Sequence, residues 1–276
     1  MDFIKNIYVK IHCHFANLVL RKSIIDLPIS LRNRKNIFLY FDYEREFGGH
    51  KTDICDKDIR EILDVLDQYQ LKATWFTVGK IFEHYPASIN DILNRGHEIG
   101  SHTYSHIAPL KTPKHILNND FKALYDVSHF FTEIKGFHAP YGKWSPGMLK
   151  SIQLYGFSYD IIGIGKSKKV NTFFIKLNTD RRLLRIYTIG DDWQLFEKNP
   201  SKEQAFYHFV NLYKKINLGQ LGGIGFHPWV LVSDENIWEG FKMFLSYFTR
   251  QDNLNIQTAT FYASEILIQN QLQNRD

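Results

Sequence analysis

The chain predicts an α/β fold, a mainly parallel sheet or barrel of repeated strand–helix units. Three observations carry this expectation. From Asn36 onward, apolar runs of strand length alternate with amphipathic stretches of helical length. At 276 residues, 44% of them hydrophobic, the chain can bury one large core as a single domain. Finally, the residues able to do chemistry fall just beyond the predicted strands, and in a parallel barrel those strand ends converge on one face.

Ile37-Phe38-Leu39-Tyr40-Phe41 reads as a buried strand, and Asp42 and Glu44 follow it. Residues 56–69 carry Ile59, Ile62, Leu63 and Leu66 at helical spacing. A strand over 73–78 leads to a helix over 86–95 that Gly96 ends. Glu98-Ile99-Gly100 is a short strand running into His102 and His106. A long helix over 112–131 is predicted with Thr112 as its N-cap and Pro113 in its first turn. A strand at 136–139 precedes Tyr141, and a helix at 145–154 and a strand near 157–160 follow. Residues 166–178 read as an irregular loop. A strand at 184–187 leads to Asp191 and Asp192, a helix spans 201–217, and the glycine-rich strand 221–226 leads to His227. Helices near 237–249 and 262–269 close the chain.

The net charge of +5 resides in residues 1–35, which carry seven basic and two acidic residues, so the remainder is balanced. A balanced globular part excludes nucleic acid as an expected partner. Ile4, Ile7, Tyr8, Ile11, Phe15, Leu18 and Val19 share one face of a helical projection, with Lys5 and Lys10 outside it. Such a basic amphipathic segment can lie on an anionic membrane surface or pack on the barrel. Its apolar runs are too short to span a bilayer, and it lacks the pattern of a signal peptide. A cytoplasmic location is therefore expected, with peripheral contact at the inner face of the membrane. The two cysteines, Cys13 and Cys55, form no disulfide framework. The domain division expected is a segment over 1–35 and a catalytic domain over 36–276.

His102 and His106 can face one metal ion if their segment turns like a helix, since positions i and i+4 share a face. Spacing alone is weak, because twelve histidines can supply such a pair by chance. Its setting strengthens it: a strand leads in, and Asp42-Tyr43-Glu44 and His227 also end strands. His12-Cys13-His14 diverges on a helix and is set aside.

Taken in order, Phe41-Asp42-Tyr43-Glu44, His102-Thr103-Tyr104-Ser105-His106, Phe137-His138-Ala139-Pro140-Tyr141-Gly142, Asp191-Asp192-Trp193 and Phe226-His227-Pro228-Trp229 resemble the polysaccharide deacetylase family, the NodB-homology or carbohydrate esterase 4 family. The resemblance runs from about residue 36 to 268. It implies a distorted (β/α) barrel, often seven-stranded, and metal-dependent removal of N-acetyl groups from sugars. Carried over by position, His102, His106 and Glu44 are metal ligands and Asp42 is the catalytic base, with the two carboxylates able to exchange roles. His227 is the acid, and the Tyr141 N–H is the oxyanion donor. His138, Asp191, Asp192, Trp193 and Trp229 fall at substrate-binding or supporting positions, and Trp229 and Trp144 can either stack on a sugar ring or equally belong to the core.

Two positions depart from the family pattern. Tyr43 stands where a second aspartate is common, and Glu44 fits the variant spacing, residues 42 and 44 pointing the same way on an extended strand. His138 stands where arginine usually pairs with the base. Two histidines and a carboxylate suit zinc and leave positions open for water and substrate. The expected reaction is hydrolysis of an N-acetyl group on an amino sugar in a polysaccharide, glycolipid or lipid-linked glycan precursor, releasing acetate. Two other readings remain at this point, hydrolysis of a small amide and sugar binding by a catalytically impaired relative.

Overall fold

Strands buried on both faces and helices buried on one build a closed parallel barrel. The computed structural model describes residues 21–163, 172–176 and 182–273. The elements in order are β1 (Arg21–Ile24), α1 (Ile29–Arg32), β2 (Lys35–Tyr43), α2 (Asp56–Gln68), β3 (Thr74–Thr77), α3 (Lys80–His84), α4 (Pro86–Asn94) and β4 (Glu98–Ser101). Then follow α5 (Lys114–Ser128), β5 (Gly136–His138), α6 (Pro146–Leu154), β6 (Tyr159–Gly163), β7 (Phe173–Lys176) and β8 (Arg182–Gly190). The chain continues through α7 (Lys202–Lys214), β9 (Leu221–Phe226), α8 (Pro228–Ser233), α9 (Glu235–Phe248), β10 (Leu254–Ile256) and α10 (Ala259–Gln273).

Seven strands, β2-β3-β4-β5-β6-β8-β9, pair in parallel, and β9 returns to β2 to close the ring. Alternation along β2 explains the two cores. Ile37, Leu39, Phe41 and Tyr43 face the helical layer, where the α2 stripe Ile59, Ile62, Leu63 and Leu66 also packs. Phe38 and Tyr40 face the lumen with Phe76, Tyr159, Leu184 and Ile186, and Leu31 of α1 and Tyr262 of α10 belong to the same cluster. The glycines of β9 make room for these rings, since a Cβ at Gly223 or Gly225 would collide with Phe38 or Tyr40.

The barrel is distorted where β8 meets β9. Only Thr188 and Gly190 pair with β9, with an irregularity between them. The lower half of β8 pairs instead with antiparallel β7, which carries β1 on its far side. Residues 173–176 are thus a strand, in contrast to the loop expected there. Their run is short, and its strand character comes from pairing on both sides. Likewise β10, which pairs with the start of β2, has too little periodicity to be read from sequence. α5 begins at Lys114 with extended Pro113 as its cap residue, while Thr112 Oγ1 donates to Ala108 O at 2.8 Å. The helical reading of residues 4–19 lies outside the described residues. Among those described, no helix is long and apolar enough to cross a membrane.

Candidate active site

At the C-terminal ends of the barrel strands a cavity of about 440 Å³ opens, within the range of small-molecule sites. Asp42 and Glu44 both line it, whereas Tyr43 points the other way. The Tyr43 side chain is fully buried in the helical layer, its hydroxyl 2.8 Å from Ser88 Oγ. Strand alternation therefore accounts for the carboxylate–tyrosine–carboxylate order: residue 43 belongs to the outer core.

His102 and His106 meet Glu44 from a loop, not from a helix. Thr103 and His106 have φ of 64° and 56°, so the segment after β4 coils through left-handed turns. Asp120 of α5 holds this loop, accepting from Tyr104 N at 2.7 Å and Ser105 N at 3.0 Å. Glu44 Oε1 lies 3.0 Å from His106 Nε2 and 3.4 Å from His102 Nε2. Donor atoms of Glu44, His102 and His106 all fall within 4.8 Å of one another, and all three residues are buried. Tetrahedral coordination at about 2.1 Å places ligand atoms roughly 3.4 Å apart, so the trio fits a zinc-like ion. His102 Nδ1 is buried without a hydrogen-bond partner and lies 3.6 Å from Asp42 Oδ1, the side from which a carboxylate can orient a ligating imidazole. Asp42, His102 and His138 form a second convergent trio that shares His102.

His138, at the end of β5, donates from Nδ1 to Asp42 Oδ1 at 2.8 Å. Burial alone would raise the Asp42 carboxyl, but His138, His102 and His227 outweigh it and hold the group below its ordinary range. Burial acts the same way on Glu44, and hydrogen bonds from His102 and His106 reverse it, leaving that carboxylate well below its usual range.

His227 closes β9 on the opposite wall. Its Nδ1 donates to Asp192 Oδ1 at 2.7 Å and its backbone N–H to Asp192 Oδ2 at 2.8 Å. Nε2 is left facing the cavity, 3.8 Å from Asp42 Oδ2. Burial disfavours the charged imidazole, yet the Asp192 carboxylate overcomes this and lifts its pKa to about 10. Burial pushes the Asp192 carboxyl up to about 6, with His227 limiting the rise.

The other sequence candidates divide by position. Tyr141 sits in a tight turn with φ of 60°, lines the cavity, and places its ring 5.0 Å from His106. Asp191 lines the mouth and accepts from Trp193 N at 3.1 Å, leaving Trp193 exposed at the rim. Trp229 is buried, so its ring faces are closed to a sugar; its Nε1 donates to Glu44 Oε2 at 3.4 Å. Trp144 packs its ring on the Arg185 guanidinium, 4.4 Å away. Sequence reasoning missed Asp120 and His50. Asp120 could have been found as a carboxylate inside the buried α5 stripe of Leu117, Phe121 and Leu124.

With this geometry established, the sequence profile of the polysaccharide deacetylase family matches residues 31–159. Over that stretch, a little under half of its 276 residues, the chain is similar to members of that family. A peptidoglycan deacetylase of Helicobacter pylori is 29% identical over 106 residues, covering 37% of this chain and 36% of its own length. A peptidoglycan-N-acetylglucosamine deacetylase of Bacillus cereus is 35% identical over 71 residues, covering 26% of this chain and 32% of its own. The chain thus spans about a third of the length of these curated relatives. A Mycobacterium smegmatis crystal structure described as a polysaccharide deacetylase superposes with a TM-score of 0.75, covering 90% of this chain and 96% of that one. At 17% identity that likeness speaks for the fold.

Proposed function

We propose that the chain is a metal-dependent N-deacetylase acting on an N-acetylated amino sugar within a glycan. The observation that carries this is the meeting, in one cavity, of the Glu44–His102–His106 trio with a base candidate, Asp42, and an Asp192-bound imidazole, His227. An amide is a poor electrophile with a poor leaving group, and a divalent cation supplies carbonyl polarisation and a more acidic water. Glu44, His102 and His106 would hold that ion, and zinc is the metal their donor set suits. Asp42, ionised and steadied by His138, accepts the proton of the attacking water. His227 Nε2 delivers a proton to the departing amine while Asp192 keeps the imidazole oriented and charged. The Tyr141 backbone N–H, in the left-handed turn at the cavity wall, is assigned to the developing oxyanion.

The relatives act, by their names, on peptidoglycan, which makes an N-acetylglucosamine polymer or its lipid-linked precursor the leading substrate class. The basic residues of 1–35 suit work at an anionic cytoplasmic membrane face. Acetate release from N-acetylglucosamine oligomers, beside small linear and cyclic amides, tests the reading. Release from the sugars alone supports it; turnover confined to the small amides replaces it.

A further inference from the structure

His50 lines the catalytic cavity but has no part in the proton transfers or the candidate metal trio. It follows the short 3-10 turn Arg45–Gly48 and Gly49, whose φ of 82° swings the chain back over the site. Its ring stacks on Trp229, with centroids 4.9 Å apart and planes at 21°, and meets Trp193 at 5.2 Å and 60°. Trp229 is itself fixed by its bond to Glu44 and by the edge of Phe196, 4.8 Å away. The imidazole is therefore held in place by its faces. Neither ring nitrogen makes a hydrogen bond among the described residues. A half-buried, rigidly stacked imidazole with unused polar atoms, beside an exposed tryptophan at a cavity mouth, is arranged to read a polar substrate group.

We propose that His50 is a specificity-determining residue that hydrogen-bonds a hydroxyl of the sugar whose face lies against Trp193. The inference rests on the sugar-substrate reading above. It gives Trp229 a supporting purpose: the ring that steadies Glu44 also sets the plane of His50. A hydroxyl suits the site because it can both donate to and accept from the ring nitrogens of an imidazole.

The test is calorimetric binding of an N-acetylglucosamine tetramer to the zinc-loaded full chain carrying Asp42→Asn, which blocks turnover. It is repeated with His50→Phe, which keeps the stack and removes both nitrogens, and with His50→Gln, which restores polar atoms. The expected result is a Kd about tenfold higher for the phenylalanine variant, the worth of one hydrogen bond, and within about threefold of the parent for glutamine. A phenylalanine variant binding within twofold of the parent would overturn the proposal, as would equal losses in both variants or no binding by the parent. Acetate release is followed separately in the chain with Asp42 intact. Its failure beside the expected binding pattern would remove the deacetylase reading and leave the role of His50 standing.

Discussion

Replacing Asp192 by asparagine keeps the shape of the side chain and removes the charge that sustains His227. The carboxylate contacts both Nδ1 and the backbone N–H of His227 at under 3 Å, with Asp192 fully buried and His227 largely so. It is the largest influence lifting the imidazole pKa to about 10, against a burial cost that acts downward. Without it, burial is opposed only by the Glu44 and Asp42 carboxylates, so the pKa falls from about 10 toward the ordinary histidine value of about 6.5. At pH 8.5 a pKa near 6.5 drops the protonated fraction from nearly all to about 1%, so kcat should fall ~100-fold, within the usual range for loss of a general acid. The sign follows from the shift: the acid is competent below its pKa, so the wild-type kcat profile holds to an alkaline limb near 10. In Asp192→Asn that limb should move down toward neutrality. The assay is acetate release from pH 5.5 to 10.5, with zinc content and thermal stability measured on the same preparations. A limb left in place, or kcat within threefold of wild type at pH 8.5, would refute the orientation and charging of His227 by Asp192.

Two further predictions concern stability. His97 is buried, with Nδ1 accepting from Ala73 N at 3.1 Å, and burial lowers its pKa to about 4. Its folded pKa lies below the unfolded value, so its contribution is full above about pH 6.5 and fades as the pH falls toward 4. Between pH 7.5 and 5 this amounts to about 2 kcal/mol, which urea titrations should show in wild type and not in His97→Gln. Arg185 donates to both Asp160 oxygens at 2.8–3.0 Å with each partner 1% exposed. Asp160→Asn should cost about 3–5 kcal/mol by stranding a buried guanidinium, and Asp160→Leu with Arg185→Met should recover much of it. Equal losses in both would count against the ion-pair explanation.

The parts of this molecule written in local pattern were legible before the structure. β2 and β9 are long apolar runs, α2 is a clean four-residue stripe, and Asp42-x-Glu44 follows from alternation. What escaped depends on tertiary pairing or on backbone conformations that residue type does not announce. β1, β7 and β10 are three or four residues long and exist because neighbouring strands receive them. The His102–His106 pair converges through positive φ at Thr103 and His106, which neither a threonine nor a histidine signals in sequence. Trp229 reads equally as a sugar platform or as core in sequence, because a tryptophan looks the same whether its faces are open or covered; only its contacts with Glu44 and His50 show that it is an internal brace.

The central claim is a catalytic ion held by Glu44, His102 and His106. The direct measurement is zinc stoichiometry of the full chain and of its His102→Ala and His106→Ala variants, with acetate release from N-acetylglucosamine oligomers before stripping, after stripping and after zinc return. The account predicts one zinc per wild-type chain, turnover that disappears and returns with the metal, and loss of both in each variant. Turnover unchanged in the stripped protein, or full zinc binding in the variants, would contradict it.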